Sequence, residues 1–276
     1  MSEMTRVSKR RPCPICQKSD WCLLGRSLAI CMRVVSERQK VFTDGSVGYM
    51  HRIDGGPLIP EPRKPEVVKP APNLFDMMRR WAYRTTHLDL SQIAESLGVS
   101  YKSLETLGAA KRDDQTWAFP MRDPKGVIVG IRLRASNGSK FAVTGSHQGM
   151  FIPQCDTQPT VFLPEGPTNT AAVISLGKYA VGRPSSNGAV LSVAEFVKRS
   201  GCKRAVIVCD TDPDYVREGG NHFNPGADGA ELLASHLTIP NATLLLPCKD
   251  MRDFIRSGGD AATLDYLVNQ CVWRRP

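Results

Sequence analysis

The sequence predicts a multidomain chain: a small cysteine-bearing β domain, then an α+β unit with basic strands, then an α/β unit built on a parallel sheet. Three observations lead there. Four of the nine cysteines crowd between residues 13 and 31. Six prolines fall between Pro57 and Pro72. Beyond residue 160, apolar strand-like segments alternate with helix-like ones, the pattern of a parallel sheet covered on both faces. A length of 276 residues suits two or three such units better than one large core.

The expected divisions are 1–56 for the cysteine-bearing domain, 57–72 for a linker, 73–160 for the basic unit and 161–276 for the α/β unit. Cys13-Pro-Ile-Cys16 is a knuckle that aims two thiolates at one ion; Cys22 and Cys31 complete four ligands, the number zinc prefers. His51 could stand in for Cys22. A domain this small has little core, so bound zinc would supply most of its folding free energy. The prolines, interleaved with charged residues, should hold the linker extended and semi-rigid.

Leu74, Phe75, Met78, Trp81 and Ala82 recur at helical spacing, and LSQIAESLGVSYKSLETLG reads as two short helices broken at Gly98. TWAFPMRD, GVIVGIRLR and SKFAVTG alternate as strands, with turns at residues 123–126 and 137–138. Arg132 and Arg134 share one face of the second of these, and Lys140 opens the third. In the last unit, TVFLPEG is a strand and TNTAAVISLG a helix closed by Gly177. RAVIVCDTD is a strand, GADGAELLASHL a helix, NATLLLP a strand and MRDFIRSGG a final helix.

Acidic residues fall at the ends of those strands: Glu165 after VFLP, Asp210 and Asp212 after AVIVC, Asp250 and Asp253 after LLLPCK. Ligands of open parallel sheets bind beyond the strand C-termini. Carboxylates converging there repel one another unless a cation lies between them, and Mg²⁺ is the hard, oxygen-loving ion that bridges to phosphate. An Asp at a strand end is also a common helix N-cap or turn residue, so no single one of them decides the matter.

Charge adds a polyanionic partner. Residues 1–72 carry 13 Lys+Arg against 7 Asp+Glu, residues 73–160 carry 11 against 8, and the remainder 12 against 12. A basic front half suits phosphate contacts. No apolar run approaches the ~20 residues of a membrane span, and the basic N-terminus lacks the apolar stretch of a signal peptide. A cytoplasmic protein with free thiols and no membrane partner is expected.

VFLPEGPTNTAAVISLG, VIVCDTD and KDMRDFI together resemble the TOPRIM domain shared by primases, topoisomerases and some nucleases. CPICQKSDWC and AICMRV resemble the zinc-binding domain that precedes TOPRIM in bacterial and phage primases. The stretch from WAFPMRD to GMFIP resembles the basic subdomain of the primase RNA-polymerase core. The resemblance implies a zinc ribbon, a basic subdomain and a Rossmann-like TOPRIM domain, in the order found in a TOPRIM-type DNA primase. It implies a DNA-directed RNA polymerase, a nucleotidyltransferase of DNA replication, acting on single-stranded DNA and ribonucleoside triphosphates.

Structural Zn²⁺ at Cys13, Cys16, Cys22 and Cys31 would accompany catalytic Mg²⁺ or Mn²⁺ at Glu165, Asp210 and Asp212. Glu165 would bind metal or serve as general base, and Asp250 and Asp253 would complete the acidic patch. Arg132, Arg134, Lys140 and Lys249 would meet nucleotide or template, with Trp21 a base-stacking platform. The family usually has an Asp four residues past the Glu; Asn169 stands there. The zinc spacing is nearer to phage-type primases, and a phage or mobile element is the expected source. GxxxxGK[ST] occurs nowhere in the sequence, so a separate replicative helicase is the expected partner. A TOPRIM nuclease and a non-catalytic single-strand-binding adaptor are the competing readings, the second favoured only by Asn169.

Overall fold

The computed structural model describes residues 4–42, 46–53, 72–211, 215–216 and 222–275. The proline-rich linker, Asp212 and Asp214 lie outside the described residues. The chain divides into two compact units, Met1–Pro72 and Asn73–Pro276.

The first unit is a five-stranded antiparallel sheet of β1 (Thr5–Arg6), β2 (Leu23–Leu24), β3 (Leu28–Cys31), β4 (Gln39–Val41) and β5 (Val47–Arg52), in the order β1-β2-β3-β5-β4. Its core is thin. Val7, Leu24, Ala29 and Met32 are buried, with three of the four clustered cysteines among them, and Ile30, Val47 and Tyr49 are buried besides. So few apolar side chains cannot offset the chain entropy lost on folding, which is why a domain of this size needs a staple.

The second unit opens with α1 (Leu74–Arg84), α2 (His87–Leu97) and α3 (Tyr101–Thr106). Thr86 and Asp89 form a reciprocal capping box at the start of α2. Gly98, at φ +70°, ends α2 in the left-handed region that glycine adopts without strain. β6 (Ala110–Asp113), β7 (Thr116–Arg122), β8 (Ile128–Ala135) and β9 (Lys140–Ala142) then form a four-stranded antiparallel meander. α1 packs on it, burying Met78 against Ala110, Ala118, Ile131 and Leu133.

The remainder is an α/β layer: β10 (Thr160–Leu163), α4 (Gly166–Ser175), α5 (Val190–Ser200), β11 (Arg204–Cys209), the short pair β12 (Tyr215–Val216) and β13 (His222–Phe223), α6 (Pro225–Ala234), β14 (Asn241–Leu245), α7 (Met251–Arg256) and α8 (Ala261–Asn269). β10, β11 and β14 are parallel, with β11 central. Alternation along the strands explains the layering. Val161, Leu163, Ala205, Ile207 and Cys209 face one side, against buried residues of α5 and α6. Phe162, Val206, Val208 and Leu244 face the other, against α4, α7 and α8. Residues 179–183 extend the sheet beside β10 through parallel bridges at Ala180 and Arg183. Glycine is required at 182, where a Cβ would collide with Thr170 Oγ1 of α4.

Among the described residues no helix is long and apolar enough to cross a membrane. α5 and α8 are additions to the elements expected from sequence, where the final helix, at MRDFIRSGG, is the short α7.

Candidate active site and cysteine cluster

In the first unit the sulfurs of Cys13, Cys16, Cys22 and Cys31 all lie within 4.8 Å of one another. The Cys16–Cys22 and Cys22–Cys31 sulfurs are 3.7 and 3.9 Å apart. Four ligands about 2.3 Å from a central zinc stand roughly 3.8 Å apart from each other, so the donor set fits that ion. Local backbone makes this possible. Gln17 and Trp21, both between Cys16 and Cys22, adopt positive φ of 56° and 63° and turn the chain back tightly.

Backbone N–H groups of Met32, Arg33 and Val34 point at the sulfurs: Met32 to Cys22 at 3.4 Å, Arg33 and Val34 to Cys31 at 3.4 and 3.2 Å. The Arg33 guanidinium lies 3.7 Å from the Cys22 sulfur and is anchored to Asp20 at 2.7 Å. Such donors favour thiolate over thiol. Among themselves the thiols share protons. Hydrogen bonds from Cys22 and Cys31 drive Cys16 well below the thiol range, and contact with Cys16 pushes Cys31 up to about 11.

His51 is outside this group; its Nε2 meets the Val34 carbonyl oxygen at 2.9 Å, and Cys22 holds the fourth corner. Trp21 is half-buried against the cysteine core, with the Arg6 guanidinium 5.6 Å from its ring centroid. Part of its aromatic surface is therefore committed within the unit.

In the second unit, Glu165 and Asp210 emerge from the carboxyl ends of β10 and β11. Glu165 occupies the N-cap position of α4, yet its side chain makes no capping hydrogen bond. Asn169, in the first turns of α4 and only 5 % exposed, donates from Nδ2 to both oxygens of Asp210, at 3.1 and 3.2 Å. That fixes the amide's orientation, because the flipped rotamer would set oxygen against carboxylate. Asn169 Oδ1 is then buried with no hydrogen-bond partner. An orphaned buried carbonyl costs about 1–3 kcal/mol. A divalent ion or its bound water would relieve that cost, so the residues present fit an oxygen-ligated cation.

The loop after β11 is stitched to the loop after β14. Thr211 N–H donates to the Lys249 carbonyl at 2.9 Å and Thr211 Oγ1 to the Cys248 carbonyl at 3.0 Å. Lys249 itself is exposed. Asp250 is 6 % exposed and is committed to its own helix: Oδ1 accepts from the backbone N–H of Arg252 and Asp253 at 2.9 and 3.0 Å, and Oδ2 from Arg252 Nη2 at 3.1 Å. Burial alone would raise its pKa; the Asp253 amide and the Arg252 charge outweigh it, and the net shift is downward. Here the N-cap role of a strand-end aspartate is realised. Asp253 is half-buried, 3.8 Å from Arg256.

The same unit carries a cationic group within electrostatic reach of these acids. Arg134 and Lys140 are direct cross-strand partners on β8 and β9. Like charges placed so are unfavourable unless an anion joins them. Lys140 has solvent-exposed surface, yet enough protein surrounds its ammonium that desolvation lowers the pKa. The Glu165 carboxylate opposes that shift, and the charges of Arg134, Arg132 and Arg252 reinforce it. Arg134 is likewise lowered by desolvation and by Arg252, with Asp250 pulling the other way. Lys140 is thus within electrostatic reach of Glu165, and Arg134 of Asp250. Arg132 differs from its neighbours: it is 9 % exposed and donates to the Pro184 carbonyl at 3.1 Å, a largely structural placement.

Two site residues escape sequence reasoning. Arg252, in the first turn of α7, joins both the acidic and the cationic groups. Arg183 lies beneath them. Burial pushes the Cys209 thiol up to about 11, and the charges of Arg183, Asp210 and Glu165 all reach that same sulfur. Arg252 has a weak sequence signal, as a cation two residues past a strand-end acid. Arg183 has none, since a charged residue reads as surface.

Asn169→Asp is expected to place two carboxylates in hydrogen-bond contact, one of which must keep a proton. Its folded-state pKa is then raised, so the stabilisation is present at low pH and lost as pH rises through that value. A tenfold change in proton affinity is worth about 1.4 kcal/mol. Thermal melts in EDTA should show the variant falling below the parent between about pH 5 and 8, with Mg²⁺ restoring it. A variant with the parent's pH and Mg²⁺ response would exclude an Asp210 contact at this position.

No protein-family model matches the chain, and no curated protein does. Solved structures do match. The primase fragment of the bacteriophage T7 primase-helicase protein is 20 % identical with a TM-score of 0.51, over 63 % of this chain and 72 % of that one. A DnaG primase catalytic domain bound to single-stranded DNA is 12 % identical with a TM-score of 0.55, over 72 % of this chain and 79 % of that one. The zinc-binding and RNA polymerase domains of the Aquifex aeolicus primase are 13 % identical with a TM-score of 0.53, over 73 % of this chain and 61 % of that one. The chain therefore has the fold of primase catalytic cores. At these identities the likeness is one of fold.

Proposed function

We propose that this protein is a DNA primase, which makes short RNA primers on single-stranded DNA by metal-dependent nucleotidyl transfer. The observation that carries the reading is that one unit of primase fold holds Glu165 and Asp210 at the carboxyl ends of adjacent parallel strands, with the buried Asn169 amide on Asp210, and carries the Arg134–Lys140 cross-strand cation pair. Acids that hold divalent cations, beside cations that hold phosphates, are what phosphoryl transfer requires.

The α/β layer is read as the TOPRIM domain and the cysteine unit as a zinc ribbon. Glu165 and Asp210, with Asp212 beyond the described residues, would hold Mg²⁺ or Mn²⁺. When bound, those ions neutralise charge on the attacking and leaving oxygens. Asn169 would offer a neutral oxygen to the same site. Asp250 would act through Arg252, which its carboxylate orients, and Asp253 would extend the acidic patch. Arg134, Lys140, Arg252 and exposed Lys249 would receive the triphosphate and template, with Arg132 bracing them. The zinc unit would contact template, Trp21 offering what remains of its ring. A replicative helicase would be a separate partner.

Incubation with single-stranded DNA, Mg²⁺ and labelled nucleoside triphosphates tests the reading. New short oligomers are expected. Shortened template would instead identify a nuclease, and binding with neither product an adaptor.

Lys140→Gln is expected to raise KM for nucleotide by on the order of tenfold, the loss of one charge-assisted phosphate contact of about 1.5 kcal/mol. The ammonium must be protonated to bind, and its pKa is depressed. Nucleotide affinity should therefore fall with rising pH below the usual lysine range, and Lys140→Arg should flatten that fall. Identical pH profiles for parent and Lys140→Arg would remove Lys140 from the triphosphate site.

A further inference from the structure

Arg183 belongs to none of the sequence motifs, yet its side chain is 2 % exposed and occupies the underside of the acidic site. All three guanidinium nitrogens are spent on backbone carbonyls. Nε donates to Leu163 O at 3.0 Å, Nη2 to Val208 O at 3.0 Å and Nη1 to Ser186 O at 2.7 Å. Leu163 stands two residues before Glu165, and Val208 two residues before Asp210. One guanidinium thus grips the backbone at the same distance behind each acid.

The sheet itself does not supply this connection. The β10–β11 register ends at Leu163↔Ile207, so Glu165 and Asp210 lie past the last paired residues. The backbone of Arg183 is itself fixed beside Glu165: its N–H donates to the Pro164 carbonyl, and its carbonyl accepts from Gly166 N–H, both at 2.8 Å. A planar fork with donors on three nitrogens can span three divergent carbonyls, which an ammonium on a single nitrogen cannot.

We propose that Arg183 is a positioning residue, a clamp that sets the spacing of Glu165 and Asp210 for one divalent cation. The proposal rests on the reading of those two acids as cation ligands. The guanidinium also lays a fixed positive charge beneath two carboxylates that would otherwise repel each other, and so keeps them ready to receive the ion. Losing the clamp while keeping the charge, and losing both together, are separable changes.

Mn²⁺ binding by the full chain, followed by electron paramagnetic resonance without nucleotide or DNA, tests this. Arg183→Lys retains the charge and loses the three-way grip; it should weaken Mn²⁺ binding about tenfold or more while still melting cooperatively. Arg183→Met, which removes the charge together with the grip, should weaken it further. In a Glu165→Gln background, Arg183→Lys should add little, since the clamp acts through that acid; a merely structural residue would have additive effects. Parent-like Mn²⁺ affinity in both Arg183 variants, whatever their melting temperatures, overturns the proposal alone. A parent protein that binds no Mn²⁺ overturns it together with the reading beneath it.

Discussion

Glu165→Gln and Asp210→Asn should each lower templated nucleotide addition by about 10²–10³-fold, the usual cost of deleting one preorganised charge from a transition-state site. Affinity for single-stranded DNA should stay within about twofold, because the cations proposed to meet the template, and not these acids, would carry it. The fold should survive both changes. Glu165 makes no capping bond that the amide would break. At position 210 an asparagine still offers one oxygen to Asn169 Nδ2, the donor that now meets both carboxylate oxygens. Single-turnover extension of a primed template, measured beside DNA binding by anisotropy, separates the two quantities. Full extension by Glu165→Gln would remove that residue from the chemistry.

Stripping the metal from the cysteine cluster should unfold the first unit and leave the second intact. Structural zinc contributes on the order of 10–16 kcal/mol to folding of such small domains, while the buried apolar side chains apart from the cysteines are few: Val7, Leu24, Ala29, Ile30, Met32, Val47 and Tyr49 among the described residues. The second unit has its own cores on both faces of the β10–β11–β14 sheet. Limited proteolysis after chelation should therefore digest the first unit and spare a fragment beginning near Asn73. Cys22→Ser should have the same effect without chelator, and elemental analysis should find about one zinc per chain. A first unit that stays protease-resistant in either case would make the cluster an ordinary buried group of thiols.

Much of this arrangement is legible in the sequence because its physics is local. Strand periodicity in RAVIVC and NATLL, the turn at Gly98 and the cysteine spacing each depend on neighbours a few residues away. α5 is less so: Val190, Val193 and Val197 carry a helical period, but the helix starts at Ala189 in a left-handed conformation with no side-chain cap to announce it. The site shows the same divide. That acids gather at strand ends follows from alternation and topology. That Asp250 caps α7 is local, one of the two roles open to a strand-end aspartate; that Arg132 is drawn to Pro184 and that Arg183 is buried under the pair depend on contacts across 52, 20 and 25 positions. Composition carries no trace of such contacts, since an arginine serving as a buried clamp and one on a solvated face are the same letter.

The acidic site stands or falls on where a divalent ion binds. Anomalous scattering from crystals of the full chain equilibrated with Mn²⁺ would locate it without reference to activity. A manganese peak is expected within ligating distance of Glu165 and Asp210, with Asn169 Oδ1 turned toward it or toward its bound water. Manganese found only elsewhere, with Glu165 and Asp210 left without an ion at saturating concentration, would contradict the assignment.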